Sequence, residues 1–122
     1  MYLDDIKKRT NENDNFRTVL HTGVYSQIVA MSILPGEDIG EEAHSDTDQI
    51  LFIVSGKGEA IIDGETRSIN KHDVIFVPAK AVHNFKNTDS EPLKLFTIYA
   101  PPEHPDGTIH KTKADAVKIE HS

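Results

Sequence analysis

Hydrophobic and polar positions alternate in short bursts along this chain, and most bursts stop at glycine, proline or asparagine. Residues 16–20 open the pattern, and Thr22-Gly23 ends it. Residues 26–33 run on to Pro35-Gly36. Further bursts cover 49–54, 59–62, 65–69, 74–77, 82–86 and 93–99. A period of two is that of a strand with one face in a core. About eight such segments at even spacing predict an all-β fold: sandwich, jelly roll or barrel. Asp63-Gly64 between two of them is a strong hairpin signal. Residues 49–54 are apolar on both faces, so both sides need burial. The outward set Ile50, Phe52 and Val54 would be covered by a second sheet or a neighbouring subunit, and a homodimer is expected on that ground.

The ends lack this pattern. Residues 1–15 read as a polar tail or arm, in which Leu3 and Ile6 supply at most one weak helical contact. A single barrel domain is expected over 16–100. Residues 101–122 form a second tail carrying His104, His110 and His121, with 111–119 as one short helix or strand. His104 and His110 are expected at the surface. In the functional alternative, 101–110 folds over the barrel mouth as a lid that supplies a general acid or base.

Composition narrows the function. The 122 residues suit one domain and one core. A formal charge of −7 argues against a nucleic-acid partner, which needs clustered Lys and Arg. There are no cysteines, so disulfides and thiolate metal sites are excluded, and any metal must use imidazole, carboxylate, amide or water. The first residues have neither a basic start nor an apolar core, so no signal peptide is expected. No apolar run reaches membrane-spanning length. A soluble, cytoplasmic protein with no membrane partner is the expectation.

The chemistry lies in two polar stretches that feed strands. Glu42 and His44, two apart, share a face if extended. Gln49, Leu51 and Ile53 form one face of the next strand, while Asp48 falls on the other, so Gln49 is preferred although a carboxylate is the better ligand. His83 and Phe85 share a face in the second stretch.

Together these stretches resemble the cupin family. Its first motif, glycine, two histidines, glutamate and glycine, is matched in register by Gly36, Glu42, His44, Gln49 and Gly56. Its second, glycine, proline, glycine, histidine and asparagine, is matched by His72, Pro78, Lys80, His83 and Asn87. The short gap between motifs resembles the compact microbial members related to mannose-6-phosphate isomerases. The resemblance implies a double-stranded β-helix (jelly-roll) barrel holding one divalent metal ion per chain (Zn, Mn, Fe or Ni) through Glu42, His44, Gln49 and His83. It adds weight to a homodimer. Glu42 stands where the family has its first histidine, and Gln49 where it has glutamate. The two changes preserve donor count and charge. His72 and Lys80 replace turn glycines.

Three functions follow from that set. The first is a metal-dependent isomerase, epimerase or lyase acting on a sugar or keto acid. The second is a non-haem Fe, Ni or Mn dioxygenase, because without the weak amide ligand two His and one carboxylate remain. The third is a non-catalytic small-ligand binder. Leu51, Ile53, Phe76, Phe85 and Phe96 are expected to wall an apolar pocket. Lys57, Arg67, Lys80 and Lys86 are the nearby basic candidates, and they form no tight phosphate cluster.

Overall fold

The computed structural model describes residues 1–120, with side chains through 117. His121 lies outside the described residues. The elements in chain order are α1 (Ile6–Glu12), β1 (Arg17–Thr22), β2 (Gln27–Ile33), β3 (Asp48–Ser55), β4 (Lys57–Ile62), β5 (Glu65–Asn70), β6 (Val74–Val77), β7 (His83–Asn87), β8 (Leu93–Ala100), β9 (Ile109–His110) and α2 (Lys113–Glu120). The strands form two antiparallel sheets. One has the order β6-β3-β8-β2-β1-β9, the other β5-β4-β7. Facing each other, they enclose the core of a double-stranded β-helix.

Parity along each strand decides what enters that core. Leu51 and Ile53 of β3, Val29, Met31 and Ile33 of β2, Leu93 and Leu95 of β8, and Phe85 of β7 are all fully buried. Each series turns polar toward one end of the barrel. Ile53 and Leu51 lead to Gln49, Phe85 to His83, Leu95 to Thr97 and Tyr99, and Val29 to Gln27. Register places these ends together, since Tyr99 pairs with Gln27 on one side and Gln49 on the other. The barrel therefore has an apolar floor and a polar mouth.

Two expected wall residues face the other way. Phe76 is 56 % exposed, because its parity partner across β3 is outward-facing Ile50. Phe96 lies opposite Phe52 on the outer face and stacks on it at 5.4 Å between ring centroids. That outer face is covered from within the chain. The N-terminal segment, read from sequence as a polar arm, contains α1, whose Ile6 and Lys7 border Phe52, Val54 and Phe96. Asp5 caps the helix by accepting from the Lys8 amide. At its far end the Lys94 ammonium donates to the carbonyls of Asn11 and Asn13 and to the Asp14 carboxylate. Two of the three residues of the face that suggested a homodimer, Phe52 and Val54, thus border α1, while Ile50 pairs with the exposed Phe76.

Turn geometry accounts for the two replaced glycines. His72 and Lys80 both have φ near +76°, at 77° and 76°, in the left-handed region where the matched motif carries glycine. Asp63 and Gly64, at φ 48° and 83°, make the tight hairpin expected between β4 and β5. Gly58 is required for a different reason: a Cβ there would sit 2.0 Å from the Lys86 carbonyl oxygen on β7.

Candidate metal centre

The mouth collects all four sequence-predicted donors. Glu42 and His83 face each other through a two-way backbone bridge, Glu42 N–H to His83 carbonyl at 2.9 Å and the reverse at 2.8 Å. His44 is held by its own carbonyl, which accepts from the Lys80 amide at 2.7 Å. The left-handed turn at Lys80 aims that amide. The His44 and His83 rings lie 5.3 Å apart, and the Tyr99 ring meets His44 edge-on at 6.1 Å. Asp48 is on the outer side, where its carboxylate accepts from the Ala79 amide.

Each donor is oriented by a neighbour. The Ala81 carbonyl lies 2.9 Å from His83 Nδ1. A carbonyl can only accept, so Nδ1 carries the proton and Nε2 keeps its lone pair. Gln49 donates through Nε2 to Thr97 Oγ1 at 3.1 Å and to the Tyr99 hydroxyl at 3.4 Å. Among the described residues its Oε1 is buried with no hydrogen-bond partner. An orphaned buried carbonyl costs about 1–3 kcal/mol unless something fills the gap.

His44 lies between two carboxylates. Glu103 Oε1 is 3.2 Å from Nδ1, and Glu42 Oε2 is 3.3 Å from Nε2. A neutral imidazole has one N–H and cannot donate to both. One of the two contacts therefore needs a second proton or a cation, and a cation at Nε2 would be shared with Glu42. The 3.3 Å gap is long for a charge-assisted hydrogen bond, about 2.7–2.9 Å. It suits two ligands each about 2.1 Å from one ion, which stand about 3 Å apart. Glu103, held in turn by Thr47 Oγ1 at 3.3 Å, then orients a ligating histidine from behind.

The residues present therefore fit a divalent cation by donor type and orientation. They are not drawn into full ligation geometry. Among the described residues no three His, Cys, Asp or Glu side chains converge closely enough to form a metal cluster. Gln49 stands outside those residue types, and the two imidazoles are a ring-width apart.

Sequence reasoning missed Glu103, which lies past the last long strand. The segment after the cis Ala100–Pro101 bond crosses the mouth. Gln27 Oε1 accepts from the amides of Glu103 and His104, and its Nε2 donates to the His104 carbonyl at 2.7 Å. His104 and His110 were expected at the surface. Instead His110 is buried on β9, and the His104 ring packs edge-on against Tyr99 at 5.3 Å. Burial pushes His104 down to about 3, helped by the positive charge of Arg17. A cavity of ≈ 470 Å³ opens between Glu42, Glu103, His104 and His110. A larger one, ≈ 650 Å³, lies between edge strands β5 and β6 and touches none of the four donors, so size alone does not mark the site.

Two facing antiparallel sheets with mixed nitrogen and oxygen donors at the open end define a barrel of the double-stranded β-helix class. Residues 29–99 match the family described as Cupin domain, and the chain belongs to that family. It is 44 % identical over 125 aligned residues to the uncharacterised protein YrkC of Bacillus subtilis, covering 98 % of this chain and 67 % of that one. It is 36 % identical to uncharacterised protein L612 of Acanthamoeba polyphaga mimivirus, over 89 % of this chain and 71 % of the other. The crystal structure of BH2720 from Bacillus halodurans superposes with a TM-score of 0.95 at 40 % identity, covering 96 % of this chain and 93 % of that chain.

Proposed function

We propose that this cupin holds one divalent metal through Glu42, His44 and His83, with Gln49 as a weaker fourth donor. It would act as an enzyme on a small oxygenated molecule, a sugar or keto acid, by isomerisation, epimerisation or a lyase step. The observation that carries this reading is the paired anchoring of both imidazoles at Nδ1, by Glu103 and by the Ala81 carbonyl. Such anchoring is what ligating histidines have behind them.

When bound, the metal would polarise a carbonyl or lower the pKa of a bound water. The chain's own residues do the rest. Glu103 holds the His44 ring in orientation. The Tyr99 hydroxyl and Thr97 hold the Gln49 amide so that its oxygen stays uncommitted. Gln27 fastens residues 103–104 across the mouth, beside the donors. Leu51, Ile53 and Phe85 close the barrel below, so a ligand can enter only from the mouth.

Metal-loaded protein offered a panel of sugars and keto acids should turn over at least one of them, and His44→Ala should abolish that turnover. A metal-loaded protein that leaves the whole panel unchanged would count against catalysis and favour a binding role.

A further inference from the structure

The outer face of the six-stranded sheet carries a row of large apolar side chains in register. Phe76 of β6 pairs with Ile50 of β3, Ile50 with Ile98 of β8, and Ile98 with Ile28 of β2. Parity turns all of them away from the barrel interior, and neighbouring strands stand about 4.8 Å apart, so the row is one continuous apolar strip. Phe76 is 56 % exposed, while Ile50, Ile98 and Ile28 are half-buried. Helix α1 borders the next row toward the floor, at Phe52 and Phe96, and Val74 at the β6 end of that row is 65 % exposed. At the other end of the strip His21 pairs with Ile28. The Tyr2 ring stacks on His21 at 5.0 Å and holds the exposed Leu3 next to it in the chain. A continuous apolar strip with a polar rim is what a protein interface presents.

The charges on either side of the strip say what fits it. Toward the mouth, Asp48 stands one step from Ile50 on the same face, and Asp46 precedes it; both are exposed. Toward the floor, α1 presents the exposed Lys7 and Lys8, while Asp4 is paired with Arg9 and Asp5 caps the helix. One rim is therefore acidic and the other basic. A two-fold axis lying along the strip reverses the strand direction of a second copy. It lays the apolar strip on itself and sets the Asp46 and Asp48 rim of each copy against the Lys7 and Lys8 rim of the other. An isologous interface requires this kind of self-complementarity. A partner of uniform charge would meet one matching rim and one opposing rim.

We propose that a second copy of this chain docks on the strip from Phe76 to Ile28, face to face with its strands reversed, to give an isologous dimer. The strip lies on the outside of the sheet whose inner side carries Gln49, so this inference stands apart from the metal-site reading.

The test is sedimentation of the full chain over a concentration series reaching on the order of 100 µM. The wild type should sediment at twice the chain mass at the upper end. Phe76→Lys should sediment as a single chain at the same concentration, with its circular dichroism and metal content unchanged. Lys7→Glu combined with Lys8→Glu should weaken the dimer roughly tenfold or more, because like charges then meet Asp46 and Asp48. A wild type that stays a single chain throughout would overturn the proposal and leave the strip to a different protein. A Phe76→Lys protein that dimerises as the wild type does would overturn it by placing the dimer on another face. An unchanged dimer in the doubly substituted protein would overturn it by removing the match between rims. Should Phe76→Lys misfold, Phe76→Ser gives the same readout.

Discussion

Glu103 couples the C-terminal segment to the donors, because its carboxylate touches His44 on the side away from Glu42. Glu103→Gln keeps size and one acceptor but loses the charge. Metal affinity, measured by competition with a chelator, should fall about 10–100-fold with little change in melting temperature. His104 gives a second prediction at this scale. Its folded-state value is depressed to about 3 against an ordinary 6.5. A depressed value means the unfolded chain takes up the proton first, so stability is full above about pH 6.5 and declines as pH falls toward 3. Metal-free wild type should lose on the order of 3 kcal/mol over that window, and His104→Phe should lose distinctly less, as read by denaturant melts at several pH values. The four candidate donors were legible because motif register marks positions, whatever residue fills them. Arg17 was legible in principle, since it shares parity with buried Val19. Glu103 was not: no spacing rule ties a residue beyond the last long strand to a histidine some sixty positions earlier.

Among the elements, the strands were readable, and so in outline was α2, which lies where one short helix or strand was expected over 111–119, but α1 was not. Alternation marked each strand from β1 to β8 to within a few residues, because burial on one face imposes a period of two. It failed at Phe76 and Phe96, where large apolar side chains suggested an inward wall but parity turns them outward. It also gave no warning of α1, whose apolar content is close to Ile6 alone. That helix is held by tertiary contacts and by Lys94 rather than by its own amphipathicity. Lys94→Met should therefore loosen α1 and cost about 1–3 kcal/mol in denaturant unfolding, with earlier amide exchange in α1 than in β3. Equal protection of α1 in both proteins would show that the lysine is dispensable. At the other end α2 is tied by Lys113 to Asp38, whose carboxyl is held below the usual carboxylate range by that ammonium and by the Asn84 amide. The Asp38 contribution is present above the ordinary carboxylate value and is lost as pH falls through the depressed one.

At the scale of the whole molecule, the sheet order brings sequence-distant positions to one end. β3 and β8 pair at the centre of one sheet, β7 faces them from the other, and the loop before β3 crosses to pair with His83. The inner series of β2, β3 and β8 run from apolar to polar in the same direction, and Phe85 leads to His83 on β7, so the candidate donors gather at the mouth. Among the described residues no helix is long and apolar enough to cross a membrane. Of the face that suggested a homodimer, Phe52 and Val54 border α1, while Ile50 lies beside the exposed Phe76. The claim on which the functional account rests is that four donors share one cation. Elemental analysis of purified, metal-reconstituted protein tests it most directly, alongside Glu42→Ala and His83→Ala. The account predicts one divalent ion per chain in the wild type and its loss in both variants, each still folded. A wild type that binds no metal after reconstitution, or variants that keep it in full, would contradict it.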